Sequence, residues 1–456
     1  MKLIIENLGI IKFAEIDLDK NLTILCGQNS TGKTYASYAL HAFLEDGNIY
    51  QLQSMKDVIG QIVEKGCFSI SKHYLKEWLD ENCKAVVAQV GSIFGISEDT
   101  KNKLFPKFAL SVDYTEEDFQ LTVHSPLSAQ LSDGVSFWKI TKAPDCMEVY
   151  VESNVDNSVL ASSNVLRAHM LVCYMMRRLA FCKMSNARML TVERNSIYTF
   201  KTELSLSRNE LVDQIQQNGK SEFDVIDIIN KSSRRYPFAV RSSLKIANDL
   251  ENVQKSSGAF VFVADMIEHD LLKGEVSMTK NGDVEFHPQG MAASRRLPFH
   301  LSSSIVKTMA SLVIYLKHIA NVGDTLIIDE PEMNFHPDVQ IVLARIFALL
   351  TIKGLRVVLS THSDYIIREI NNLIMAGALV KRANNDLLED IGYPVDMLLD
   401  YNNVSVLMFN RTGKNVVRVS SLEVDEEGFA VDSIDSAIRD QNIKAELLYG
   451  YLMDNK

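Results

Sequence analysis

The chain contains no run of about 18 uninterrupted apolar residues, so no membrane-spanning helix is expected. Its opening, Met1-Lys2-Leu3-Ile4-Ile5-Glu6-Asn7, lacks the apolar core of a secretory signal. The six cysteines (26, 67, 83, 146, 173 and 182) form no C-x-x-C pair. They are dispersed in mostly apolar surroundings, as in reduced cytoplasmic proteins, which argues against a structural zinc site. The chain also lacks a basic excess: the net charge is −11. A protein that grips DNA over its whole surface without regard to sequence is usually basic. Basic clusters are local only, at Arg177-Arg178, at Arg234-Arg235 with Arg241, and at Arg295-Arg296. No internal repeat is visible. No H-x-x-H or H-N-H pattern and no clustered acidic motif after a late strand offers a metal-dependent nuclease centre. What remains is a soluble globular composition, 46% hydrophobic and 23% charged, in a 456-residue chain long enough for two or three domains.

The most informative segment present is Gly27-Gln28-Asn29-Ser30-Thr31-Gly32-Lys33-Thr34, which fits G-x-x-x-x-G-K-[ST]. Leu22–Cys26 before it reads as a short buried strand. Ala36, Ala39, Leu40, Phe43 and Leu44 after it recur at helical spacing, with Tyr35 in the first turn. A strand, a glycine loop and a helix N-terminus aim backbone N–H groups and a partial positive charge at phosphate. Lys33 is expected to neutralise the β- and γ-phosphates of ATP, and the Thr34 hydroxyl to hold Mg²⁺.

Three later segments can complete such a site. Asp324–Glu330 is an apolar, largely β-branched strand ending in Asp-Glu, as a central parallel strand should be. Asp329 is expected to bind Mg²⁺ through water, and Glu330 to polarise the attacking water as general base. Leu355–Ser363 reads as a second buried strand ending in Ser-Thr-His-Ser, which puts His362 within reach of the γ-phosphate. Ser302, Ser303 and Ser304 open a helix with Ile305, Met309, Leu312, Val313, Leu316 and Ile319 on its apolar face. Serines cap helices well; they can also grip a γ-phosphate held by a second subunit.

With these pieces in this order, the chain resembles ABC-type ATPase heads, and within them the SMC-like and overcoming-lysogenisation-defect (OLD) group. The resemblance makes Gly27–Thr34 the Walker A motif, Leu301–Ser304 the signature, Leu326–Glu330 the Walker B motif and His362 the switch histidine. Glu330-Pro331-Glu332-Met333-Asn334-Phe335-His336-Pro337 is similar to the group's E-P-E-x-x-L-H-P pattern, with Phe335 for Leu, and implies a D-loop at a dimer interface. Ser304 stands where the family signature usually has Gly, which implies slow turnover or ATP used as a clamp. Val192–Ser196 resembles the group's P-A-E-R-S-G segment without its Pro and Gly, leaving Arg194 as a minor candidate. Gln51 and Gln53 follow the first helix at a workable distance for a Q-loop glutamine, but the sequence does not fix one, and both read more readily as ordinary surface glutamines. The L-S-G-G-Q signature of transport ATPases is absent.

The expected fold class is therefore α/β: a P-loop parallel sheet flanked by helices, with an antiparallel β lobe and an inserted helical lobe. The core is expected in residues 1–45 and 270–380. Residues 46–269 should hold the inserted lobes, and 381–456 a hairpin and a last helix that serve a partner or oligomer contact. Strands are expected at Phe108–Tyr114, Phe119–His124, Gly134–Thr141 and Met147–Glu152, and helices at Met55–Val63, Tyr74–Val90, 164–184 and 201–257. The insertion is too short and irregular for a long coiled coil. In length and layout the chain resembles the ATPase subunits of two-gene anti-phage systems, most closely the PtuA family of Septu systems. That implies an oligomer of paired heads, a separate nuclease partner (HNH type), DNA met through the complex, and a cytoplasmic setting. The alternative implied by the SMC-like resemblance is a repair or recombination ATPase that clamps DNA itself.

Overall fold

The computed structural model describes residues 1–45, 55–132, 137–153, 165–201, 236–279, 282–291, 296–382, 391–414 and 416–454. Gln51, Gln53, Arg234, Arg235 and Arg295 lie outside the described residues, as does most of the helical stretch expected over 201–257.

In chain order the strands are β1 (Lys2–Leu8), β2 (Ile11–Asp17), β3 (Leu22–Gly27), β4 (Cys67–Ser69), β5 (Ala109–Asp113), β6 (Leu127–Ser132), β7 (Phe137–Lys142), β8 (Glu148–Ser153), β9 (Ala187–Leu190), β10 (Gly274–Met278), β11 (Val284–Pro288), β12 (Leu297–Pro298), β13 (Thr325–Asp329), β14 (Arg356–Thr361), β15 (Val404–Gly413) and β16 (Val416–Leu422). Nine of them form one mixed sheet in the order β5-β1-β2-β16-β15-β3-β14-β13-β9. Its centre is parallel: β15, β3, β14, β13 and β9 all run the same way. Every residue of β3, β13 and β14 is buried, as strands covered on both faces require. The fold is thus α/β, with helices Lys33–Leu44, Ser304–His318, Pro337–Ile352 and Asp364–Lys381 supplying the covering layers.

The sheet draws on more of the chain than residues 1–45 and 270–380. From within 46–269 it takes β5, which pairs antiparallel with β1, and β9, which pairs parallel with β13. From the C-terminal segment it takes the β15–β16 hairpin, seated between β3 and β2. The reason is plain in β15, where Val404–Phe409 is buried along its whole length. Such a strand loses too much apolar burial to stand on the surface.

A second antiparallel sheet, β4-β8-β7-β6, accounts for the expected β lobe. One strand expected there is a helix instead: Phe119–His124 belongs to Glu116–His124. Thr115 and Asp118 form a reciprocal capping box at its start, and Glu116, Glu117 and Asp118 stand in its positive first turn. These local signals outweigh the alternating pattern of Phe119–Val123. β10 and β11 pair as an antiparallel hairpin, with Gly282 at φ 77° in the connection; Asn281 lies outside the described residues.

Candidate functional site

Gly27 ends β3 at φ 140°, and a Cβ there would stand 2.6 Å from the carbonyl oxygen of Phe409 on β15. Only glycine fits so close a backbone approach. The loop tip Gln28-Asn29-Ser30 is exposed, with Ser30 itself left-handed at φ 59°. Thr31 folds its hydroxyl back onto the Gln28 carbonyl at 2.8 Å. Gly32 caps the helix at φ 93°, and the helix's first internal bond runs from Ala36 N to the Gly32 carbonyl. The N–H groups before it are left to face a ligand. Lys33 is buried, and its Nζ donates to the carbonyls of Gly27 (2.8 Å) and Gln28 (3.0 Å). Burial pulls its ammonium below the usual lysine range, against the attraction first of Glu330 and then of Asp329. Tyr35 turns away from the loop and packs edge-on against Phe94 and Phe105, at 5.2 and 5.7 Å between ring centres.

The Thr34 hydroxyl donates to Asp329 Oδ2 at 2.8 Å. This bond joins residues 295 positions apart. Asp329 is the last residue of β13; its other carboxylate oxygen accepts from the Ser360 hydroxyl of β14. Burial raises the Asp329 pKa, opposed by those two hydroxyls. An oxygen pair of this kind, a hydroxyl beside a buried carboxylate at a helix N-terminus, suits a hard divalent cation and its phosphate.

The chain then leaves the sheet sharply. Glu330 N still donates to the Ser360 carbonyl (3.0 Å), but its φ is 43°. A left-handed non-glycine residue costs roughly 1–3 kcal/mol and persists only where its surroundings enforce it. The His362 ring Nδ1 lies 3.9 Å from Glu330 Oε1 and 3.4 Å from Glu332 Oε1. Glu332 is buried, and the same oxygen accepts from the Thr361 hydroxyl (2.7 Å) and from His362 N (2.9 Å). Asn334 follows at φ 67°, Phe335 is buried, and exposed His336 caps the helix that begins at Pro337.

The structure therefore gathers Gly27–Thr34, Asp329, Glu330 and His362 into one locus. Ser302, Ser303 and Ser304 stand elsewhere, at the start of helix Ser304–His318, and no hydrogen bond among the described residues ties them to the phosphate loop. Ser303 occupies the N-cap position without a side-chain capping bond. Ser302 is buried with its Oγ unpartnered. Neither the Ser302 nor the Ser303 hydroxyl makes a capping bond.

Other residues also shape the site. Arg194 is 1% exposed, and its guanidinium donates to the carbonyls of Thr191 (3.0 Å), Asp329 (2.6 Å) and Glu330 (2.7 Å). Burial lowers its pKa to about 10, still well above neutral. Arg411, beyond the expected core, donates to the Ser30 carbonyl at the loop tip (2.8 Å). The Val192–Ser196 resemblance points to Arg194 and the Glu330–Pro337 pattern contains Glu332; nothing local marks Arg411 or Thr361 for these contacts.

A buried parallel sheet that delivers a phosphate-type loop and an Asp-Glu corner to the same end defines an ATPase domain. The chain belongs to the AAA ATPase domain family (AAA_15), whose model matches residues 1–367. No curated protein matches its sequence. Among solved structures it is similar to the Smc head domain of Pyrococcus furiosus with an extended coiled coil, bound to the C-terminal domain of ScpA. Identity there is 13%, coverage 96% of this chain and 98% of that one, and the TM-score 0.35. An SmcHead bound to the C-winged helix domain of ScpA gives 11%, 93%, 98% and 0.37 in the same order. The SMC head domain from Thermotoga maritima gives 9%, 93%, 98% and 0.31. Among the described residues no helix is long and apolar enough to cross a membrane.

Proposed function

We propose that this ATPase is of the P-loop ABC type, an OLD-like head that hydrolyses ATP between paired copies of itself. The observation that carries the reading is the 2.8 Å bond from Thr34 to Asp329, which unites the two halves of a nucleotide site across most of the chain. Gly27–Thr34, with the free N–H groups ahead of Ala36, cradles the phosphates. Lys33 exchanges its two loop carbonyls for phosphate oxygens. Thr34 and Asp329 hold Mg²⁺, which when bound supplies charge neutralisation on the phosphates. Glu330 accepts the proton of the attacking water, and His362 orients that water from the far side. Ser302–Ser304 of a second copy, at a helix N-terminus, closes the site from across the interface.

The biological setting proposed is anti-phage defence, in which nucleotide state changes how a separate nuclease, of HNH type, is held. What supports it is the set of ATPase motifs in a chain that shows no nuclease motif. Co-purification with the product of the adjacent gene tests this: recovery of a lone ATPase, with activity indifferent to that gene, counts against it. The ATPase reading itself is tested by light scattering with ATP. Glu330→Gln is expected to bind ATP and accumulate as a paired species, and Lys33→Ala to neither bind nor pair. If Glu330→Gln turns over normally, Glu330 is not the base.

A further inference from the structure

Glu330 has an unusual backbone for a catalytic carboxylate. Its N–H is held in the sheet by the Ser360 carbonyl, yet its φ of 43° swings the next peptide out of the ladder. The carbonyl before that bend is Asp329's and the carbonyl after it is Glu330's. Both are met by one side chain. Arg194 Nη1 donates to Asp329 O and Nη2 to Glu330 O, while Nη1 also holds Thr191 O, in its own turn. The guanidinium is a planar fork with fixed spacing, so two successive carbonyls bound to it cannot rotate independently. Its charge also faces Asp329, Glu332 and Glu330, the same acidic groups that face Lys33. Among the described residues the hydrogen bonds of the Arg194 side chain go to backbone carbonyls of residues 191, 329 and 330, and none goes to the loop Gly27–Thr34. Its own carbonyl accepts from Ser311 (3.4 Å), two turns into the helix headed by Ser302–Ser304.

We propose that Arg194 is a positioning residue for hydrolysis: by clamping the carbonyls of Asp329 and Glu330 it locks the left-handed turn that aims the Glu330 carboxylate. This rests on the reading of Glu330 as the base. The clamp holds orientation and leaves the phosphate cradle alone, so its loss separates turnover from binding.

The test is a double-mutant cycle in the full chain, combining Arg194→Lys with Glu330→Gln. ATP affinity is read by fluorescent-nucleotide titration and hydrolysis by single-turnover rates. Lysine keeps the charge but cannot bridge both carbonyls. Arg194→Lys alone is expected to lower the hydrolysis rate about 100-fold, the scale set by a misplaced catalytic group. Nucleotide affinity should stay within about threefold of the parent. In the Glu330→Gln background the same change is expected to cost less than about twofold, because a residue acting only through Glu330 has nothing left to position. Equal losses in both backgrounds, or an unchanged rate in Arg194→Lys, overturn the proposal. So does a variant that loses fold or nucleotide affinity together with turnover, which assigns Arg194 to the scaffold. Failure of the underlying reading looks different: Glu330→Gln alone then hydrolyses at the parental rate, whatever Arg194 does.

Discussion

The glycine loop Gly27–Thr34 and the Asp329–Glu330 corner meet at one hydrogen bond, but they are held in opposite ways. The loop is shaped by missing atoms. Gly27 leaves room for the Phe409 carbonyl and Gly32 for Ile11, and most of the loop's remaining polar contacts stay within residues 27–34. The corner is shaped by side chains reaching in from elsewhere: Ser360, Thr361 and Arg194 each bring a donor to a carboxylate or carbonyl near residue 330. The loop should therefore fail when atoms are added, and the corner when atoms are removed.

The largest effect on stability is expected from adding a single methyl to the loop. In Gly27→Ala the new Cβ stands 2.6 Å from a backbone oxygen, which has no flexible end to yield. The clash and the forbidden φ together are expected to cost about 3 kcal/mol, within the range for overpacking plus left-handed strain. Nucleotide affinity should fall as well. Urea unfolding and nucleotide titration measure both. A parental midpoint would mean that β15 does not press on the loop. The matching deletion in the corner is Thr361→Val, which keeps shape and removes the donor to buried Glu332. One donor remains, His362 N, so a loss of about 1–2 kcal/mol is expected by the same unfolding measurement. Hydrolysis should slow through the displaced His362, with nucleotide affinity unchanged.

This contrast also explains what the sequence discloses. A site made by local omission writes itself in consecutive letters: Gly27, Gly32, Lys33 and Thr34 are legible because the loop's geometry is a property of eight residues. Strand β13 is legible for a similar reason, since burial on both faces leaves an unbroken apolar run ending in Asp329. The corner's support is legible only in part: the Val192–Ser196 segment singles out Arg194, but not what it meets. Arg194 and Glu330 are 136 positions apart, and no rule of spacing joins them. The same limit hid the place of β15, whose partner in the ladder, β3, lies far upstream. Where a local signal misled, at Phe119–His124, a stronger local signal (the Thr115–Asp118 box) begins four residues earlier.

Arg411 is the exception that sharpens the comparison, a side chain from the distant hairpin that touches the loop. Its bond to Ser30 O is exposed to solvent, so Arg411→Ala is expected to change stability by no more than about 0.5 kcal/mol. Nucleotide affinity should fall only a few-fold. A loss as large as that of Lys33→Ala would mean that the loop, like the corner, depends on remote support.

A similarly small effect is expected away from the corner, where Glu268 ties β10 to helix Ser304–His318. Its carboxylate accepts from Val276 N (2.8 Å) and pairs with Lys317 Nζ (2.7 Å). Burial nevertheless holds its pKa above the usual glutamate range, the Lys317 and Val276 bonds only partly opposing it. The folded state thus binds a proton that the unfolded state has released, in the window between the ordinary glutamate pKa and the raised one. Stability contributed by this group falls as pH rises through that window, and the cost stays in place above it. Glu268→Gln cannot ionise, so it should gain on the parent between pH 4 and pH 7. The gain should be less than about 1 kcal/mol, because solvent and Lys317 screen the charge. Urea midpoints at the two pH values check it. A variant that instead loses ground at pH 7 would show the Lys317 pair outweighing burial, and would make this strut, like the Glu330 corner, depend on an incoming cation.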